Sequence, residues 1–223
     1  EKIYIFLLLP MIGFNFLLGG VSGLIYGLTL NLKGFILYLT DYIKILFKVI
    51  YRNGNPIQIV NFITARCNLR CNHCFYKDTL DAKDPGEMNL STINEYTKNF
   101  GSVLWYALGG GEPFVRSDLY KLYERVETNC RPKVFTIPTN GWYKDKIFLS
   151  TLRMLQFSKG KRPIIIQFSL DGNQEMHDQI RGDKSHEKVL ESLELLKKLQ
   201  TIYKQLHFSV ITVVTNENRD IYP

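Results

Sequence analysis

The chain has 223 residues, of which 45% are hydrophobic and 22% charged; this balance excludes a disordered polypeptide and suits one domain with room for an appendage. Its net charge of +7, from 28 basic and 21 acidic side chains, includes no Lys/Arg run of the kind that grips phosphate backbones, so nucleic acid is not an expected partner. Three of the four cysteines fall between positions 67 and 74, too clustered for a disulfide framework, and they point to metal chemistry in a reducing compartment.

From Ile3 to Leu32 no Asp, Glu, Lys, Arg or His interrupts the sequence, and about 20 apolar residues suffice to cross a bilayer. Pro10, Gly13, Asn15 and the Gly19-Gly20 pair weaken one straight helix, while Gly19, Gly23 and Gly27 keep the spacing that lets membrane helices approach closely. The expectation is a membrane-associating segment; a buried glycine-rich segment or a signal-like region is the alternative. Asp41, Lys44, Lys48 and Arg52 then recur three or four residues apart, with Phe35, Leu39, Tyr42, Ile43, Leu46, Phe47 and Ile50 on the other sides. This predicts an amphipathic helix with a basic polar stripe, suited to a headgroup region or to packing on a soluble domain. If the first segment spans, the Lys/Arg excess just after it places this side in the cytoplasm, tethered to the inner face of the membrane.

Asn53-Gly54-Asn55-Pro56 is a turn signal that divides the chain into residues 1–55 and a core domain, 56–223, expected to be truncated at its C-terminus. Strands are predicted over 57–63, 103–108, 134–138, 164–170 and 207–214. Helices are predicted over 91–100, with Ser91 as N-cap, and over 117–128, 144–157 and 186–203. Strands alternating with helices imply an α/β fold with a parallel sheet, a partial (βα) TIM-type barrel preceded by the hydrophobic and amphipathic helical segment.

Cys67-Asn68-Leu69-Arg70-Cys71-Asn72-His73-Cys74 is a C-x3-C-x2-C run directly after the first strand of the core. Three thiolates in one loop suit three corners of an iron–sulfur cube and leave one iron open for catalysis. A zinc site with His73 as fourth ligand is the alternative, although the second cysteine pair usual in such sites is missing. Cys130, at the end of a helix facing the other end of the sheet, is read as structural.

Around this run the chain resembles the radical S-adenosylmethionine (radical SAM) superfamily, over roughly Ile57 to Val214. It is most similar to the peptide-maturing and cofactor-maturing members, SPASM-type and MoaA-like, which share the C-N-L-R-C-x-x-C-F pattern seen from Cys67 to Phe75. The resemblance implies a [4Fe-4S] cluster on Cys67, Cys71 and Cys74 whose open iron is chelated by the amino and carboxylate groups of S-adenosylmethionine. One electron from a flavodoxin- or ferredoxin-type donor then yields methionine and a 5′-deoxyadenosyl radical that abstracts hydrogen. His73 stands where the family usually has an aromatic residue against the adenine.

Strand ends supply the rest of the expected site. Gly109-Gly110-Gly111-Glu112-Pro113 allows close backbone approach and adds a carboxylate for a cationic amine. It resembles the family's G-G-E-P motif, which assigns Gly110, Gly111 and Glu112 to the methionine amino group. Asn140, in Thr139-Asn140-Gly141, matches a T-N-G motif near the ligand. Ser169, in S-L-D-G, and Arg181, in H-D-x-x-R, match a pattern that implies cofactor contacts, the Arg fork suiting a carboxylate. Asp171, His177 and Asp178 read as loop caps. The substrate is left open between a peptide and a membrane-associated small molecule. The alternatives to an enzyme are a non-catalytic iron–sulfur electron-transfer or scaffold protein, and a zinc module.

Overall fold

The computed structural model describes residues 32–51, 56–80, 87–160 and 162–221, which fall into two units divided between Asn55 and Pro56. In the first unit α1 (Leu32–Tyr51) forms one helix. The second contains β1 (Gln58–Phe62), α2 (Leu90–Lys98), β2 (Trp105–Gly109), α3 (Leu119–Cys130), β3 (Val134–Thr139), α4 (Lys144–Ser158), β4 (Ile164–Ser169), α5 (Gln174–Arg181), α6 (Ser185–Ile202) and β5 (Leu206–Ile211).

The five strands make one parallel sheet in the order β1-β2-β3-β4-β5, each strand beside its chain neighbour. Helical crossovers between consecutive parallel strands produce this order, the arrangement of a partial TIM-type barrel. Alternate strand residues form the core: Tyr106 and Leu108, Phe135 and Ile137, then Ile164, Ile166 and Phe168. They pack with Ile93, Leu122, Val126, Met154, Leu155 and Leu196 of the helices, and each such burial contributes roughly 2 kcal/mol. The other sheet face is more polar, with Trp105 Nε1 donating to Thr136 Oγ1 at 2.9 Å.

The observed elements differ from the expected ones in three places. Helix α2 is capped by Asn89, whose side chain accepts from Thr92 N at 2.9 Å, and not by Ser91, which lies inside the helix and donates to the same oxygen. Asn and Ser compete as caps on nearly equal terms, so the pattern alone does not choose. Helix α5 was not expected.

The third difference concerns α1. Asp41, Ile45 and Lys48 form its buried face, while Leu39, Ile43, Leu46, Phe47 and Ile50 are exposed. The polar stripe is therefore split: Asp41 and Lys48 are buried, while Lys44 is exposed. Buried charges persist only with partners, and both residues have them. Arg52 lies outside the described residues, as does the charge-free run from Ile3 up to Leu32. Among the described residues no helix is long and apolar enough to cross a membrane, so a spanning segment has no support there.

Candidate active site

The loops after β1 and β2 run against one another. Ile63 N donates to Gly109 O at 3.0 Å, Gly111 N to Thr64 O at 2.7 Å, and Glu112 N to Arg66 O at 2.9 Å. A Cβ on Gly110, where φ is +128°, would stand 2.1 Å from Thr64 O, and one on Gly111 would stand 2.2 Å from Arg66 O. These glycines thus admit the neighbouring loop, the one that leads into Cys67. Arg116 secures the same loop by donating to Ile63 O at 2.7 Å and Met88 O at 3.0 Å. Arg66 grips Glu87 through two hydrogen bonds of 2.7 and 2.9 Å.

Glu112 is buried beneath this junction. Its Oε1 accepts from Phe114 N at 3.1 Å and Thr139 Oγ1 at 3.0 Å, and its Oε2 from Asn140 N at 2.7 Å. Burial nevertheless pushes its carboxyl up to about 7. The carboxylate joins the β2 and β3 ends. Asn140 carries the connection onward: its Nδ2 donates to Asn68 Oδ1 at 3.0 Å and lies 3.8 Å from Cys67 Sγ. Leu69 N also donates to Cys67 Sγ, at 3.4 Å.

The cysteine loop rests on the C-terminal end of α5, where Asn72 N donates to Ile180 O at 3.0 Å. There Arg181, largely buried, donates from Nε to Asp171 Oδ2 at 2.6 Å and brings Nη1 to 4.0 Å from Cys71 Sγ. His73 Nε2 stands 3.7 Å from Asp171 Oδ2. Burial lowers the His73 pKa from its ordinary value, although Asp171 works the other way. Ser169 ends β4 two residues before Asp171 and pairs with Ile211 of β5.

Asp171 N donates to His177 Nδ1 at 3.0 Å; burial brings His177 down to about 4. Asp178 Oδ1 accepts from His186 N and Ser185 Oγ and so caps α6. The capping expected of these residues is visible in these bonds. A cavity of about 380 Å³ opens beside the loop, lined by Asn68, Leu69, Arg70, Asn72, Trp142 and Arg181 among others.

Several properties of the loop fit an iron–sulfur cluster. The thiols are free, and burial pushes Cys67 up to about 11 and Cys71 in the same direction, with Arg181 opposing the rise at Cys71. Both are therefore protonated until a metal displaces the proton. N–H donors reach two of the sulfurs from β3, α5 and the loop itself, the kind of contact that tunes such clusters. Asn68 Nδ2 and His73 Nδ1 are buried without a hydrogen-bond partner among the described residues, which suits a ligand between them and the loop. The described residues hold no group of three His, Cys, Asp or Glu side chains placed round a single metal ion, as tetrahedral zinc requires. Cys130 is far from this loop: its Sγ meets Thr97 O at 3.6 Å, and its carbonyl accepts from Val103 N just before β2.

The structure thus brings together Cys67 with Asn140, Cys71 with Arg181, and the Gly110–Glu112 turn with the entry to the loop. It adds Asn68 and the Asp171–Arg181 ion pair. The S-L-D-G motif flagged Asp171, but its pairing with Arg181 depends on α5, a short helix with just two apolar side chains, Met176 and Ile180.

The family model described as the Radical SAM superfamily matches residues 61–221. The pre-heme d1 synthase of Dinoroseobacter shibae is 39% identical over 88 residues, covering 39% of this chain and 21% of that protein. The mycofactocin maturase MftC of Mycolicibacterium smegmatis is 29% identical over 168 residues, 74% of this chain and 39% of that one. The chain therefore spans less than half the length of either relative. Among solved structures, S-adenosylmethionine-bound SuiB from Streptococcus suis superposes with a TM-score of 0.52 at 20% identity, over 94% of this chain and 48% of SuiB, a likeness of fold alone.

Proposed function

Because this chain belongs to the radical SAM superfamily, whose enzymes use a [4Fe-4S] cluster and S-adenosylmethionine, we propose that Cys67, Cys71 and Cys74 are its three cluster ligands. The observation that carries this reading is the convergence of N–H donors from Leu69, Asn140 and Arg181 on the Cys67 and Cys71 sulfurs. When bound, the cluster and S-adenosylmethionine supply one-electron chemistry that ends in hydrogen abstraction from a substrate. Arg181 offers its fork to the cofactor's carboxylate, and Ser169 its hydroxyl to carboxylate or ribose. His73 presents a flat imidazole to the adenine. The Gly110-Gly111 turn and Glu112 receive the ammonium group, the Glu112 carboxylate being braced from Phe114, Thr139 and Asn140. A flavodoxin- or ferredoxin-type protein delivers the electron.

The test is anaerobic reconstitution. The wild-type protein should bind about four irons per chain and release 5′-deoxyadenosine when reduced with S-adenosylmethionine. Cys71→Ala should lose both, and a full complement of iron in that variant would overturn the assignment.

The substrate proposed is a peptide, by analogy with relatives named a mycofactocin maturase and a cysteine-type anaerobic sulfatase-maturating enzyme. A membrane-bound substrate is the second reading, favoured by the exposed Leu39, Ile43, Leu46, Phe47 and Ile50 of α1. Peptide arrays and anionic phospholipid vesicles, each probed with the reconstituted protein, separate the two. Retention on vesicles alone would select the second.

A further inference from the structure

Asp171 has no exposed surface, and every one of its polar groups is engaged. Its Oδ1 accepts from Val213 N at 2.9 Å, just past β5, and its Oδ2 from Arg181 Nε at 2.6 Å. Its own N–H donates to His177 Nδ1 at 3.0 Å, and its carbonyl lies 3.5 Å from Asn218 Nδ2. His73 Nε2 is 3.7 Å from Oδ2. One carboxylate therefore ties the end of β4 to the end of α5, the segment after β5 and the cysteine loop.

The consequence for Arg181 is geometric. A guanidinium is planar, so fixing Nε fixes the plane of the whole fork. That plane carries Nη1 to within 4.0 Å of Cys71 Sγ. The consequence for charge is equally direct. A cation beside a cluster thiolate favours the reduced cluster, and an adjacent carboxylate offsets that cation.

We propose that Asp171 is a positioning residue for the cofactor: it orients the Arg181 fork between the Cys71 sulfur and the carboxylate of S-adenosylmethionine, and it offsets the guanidinium charge felt by the cluster. This rests on the reading of Arg181 and Cys71 given above. The roles differ from that reading in one respect: Asp171 touches neither cluster nor cofactor and acts only through Arg181 and His73.

The experiment uses the anaerobically reconstituted full chain as wild type, Asp171→Asn, Arg181→Gln and the double variant. Three quantities are read: iron content, midpoint potential of the cluster without S-adenosylmethionine, and the titration of the reduced cluster's EPR spectrum with S-adenosylmethionine. Asp171→Asn keeps the side-chain shape and removes the charge. It should retain its iron, shift the potential positive and weaken S-adenosylmethionine binding about tenfold. Arg181→Gln should shift the potential negative, and the double variant should lie between the two single ones. A merely structural Asp171 would not move the potential of a fully loaded cluster, so unchanged potential and affinity in Asp171→Asn would overturn the inference. If Asp171→Asn fails to hold its iron, Asp171→Glu decides. It keeps the charge and displaces the fork, so affinity should fall, and unchanged affinity overturns the inference. A wild-type spectrum that ignores S-adenosylmethionine would instead sink the underlying cofactor reading, and this one with it.

Discussion

Burial holds the Glu112 carboxyl up at about 7, against the pull of three donors on its oxygens. An acid whose folded pKa lies above its unfolded value, near 4.5, favours the fold at low pH. That advantage is complete below pH 4.5 and is lost as pH rises through 7. The gap of about 2.5 units amounts to roughly 3 kcal/mol at full extent. In protein without cluster or cofactor, the urea midpoint of the wild type should therefore fall between pH 5 and pH 8 relative to that of Glu112→Gln. Parallel pH curves would mean that the carboxyl ionises as freely folded as unfolded. A bound ammonium group restores the lost term, so added S-adenosylmethionine should help the loaded wild type more at pH 8 than at pH 5. The G-G-E-P motif was legible as a ligand-facing turn. That its glycines admit the Thr64 and Arg66 carbonyls was not, because nothing in one segment tells which backbone passes beside it.

At the scale of elements, α5 shows where sequence patterning loses its grip. Its eight residues, Q-E-M-H-D-Q-I-R, bury His177, Ile180 and Arg181, and two apolar side chains four apart, Met176 and Ile180, are too few to mark a helix of two turns. Longer elements were legible because their apolar spacing persisted: Lys144–Ser158 was expected almost to its last residue. Yet α5 sets the position of Arg181 and supports Asn72 of the cysteine loop. Its start depends on Asn173, whose side chain accepts from Met176 N at 3.0 Å. Asn173→Ala should cost about 1 kcal/mol by chemical denaturation. Fraying from that end loosens the helix that carries Arg181, so S-adenosylmethionine affinity should fall in the same variant, while Asn173→Asp restores both. Lost stability with unchanged affinity would show that Arg181 is held by Asp171 alone.

At the scale of the whole molecule, the strand order could be reasoned from rhythm alone, since helical crossovers between parallel strands place neighbours in the chain side by side. This also explains why residues as distant as Cys67, Glu112, Asn140, Ser169 and Arg181 were readable as one site. All follow the C-terminal ends of strands or their crossover helices, where open α/β sheets bind ligands. The burial of Asp41 and Lys48 of α1 was not readable, because patterning shows that a stripe is polar but not which of its members is covered. Among the described residues, the hydrophobic core of the second unit runs from Ile63 to Leu206. The core's stability therefore belongs to the unit that begins at Pro56. A chain starting at Pro56 should keep the thermal midpoint, iron content and 5′-deoxyadenosine release of the full chain, while losing any retention on phospholipid vesicles. Each result has its own meaning. A lowered midpoint would assign the buried face of α1 a part in the catalytic fold, and vesicle binding that survives the truncation would move the lipid contact onto the barrel. There, Val60 and Phe62 of β1 and Val210 of β5 are the exposed apolar side chains on the two outer strands.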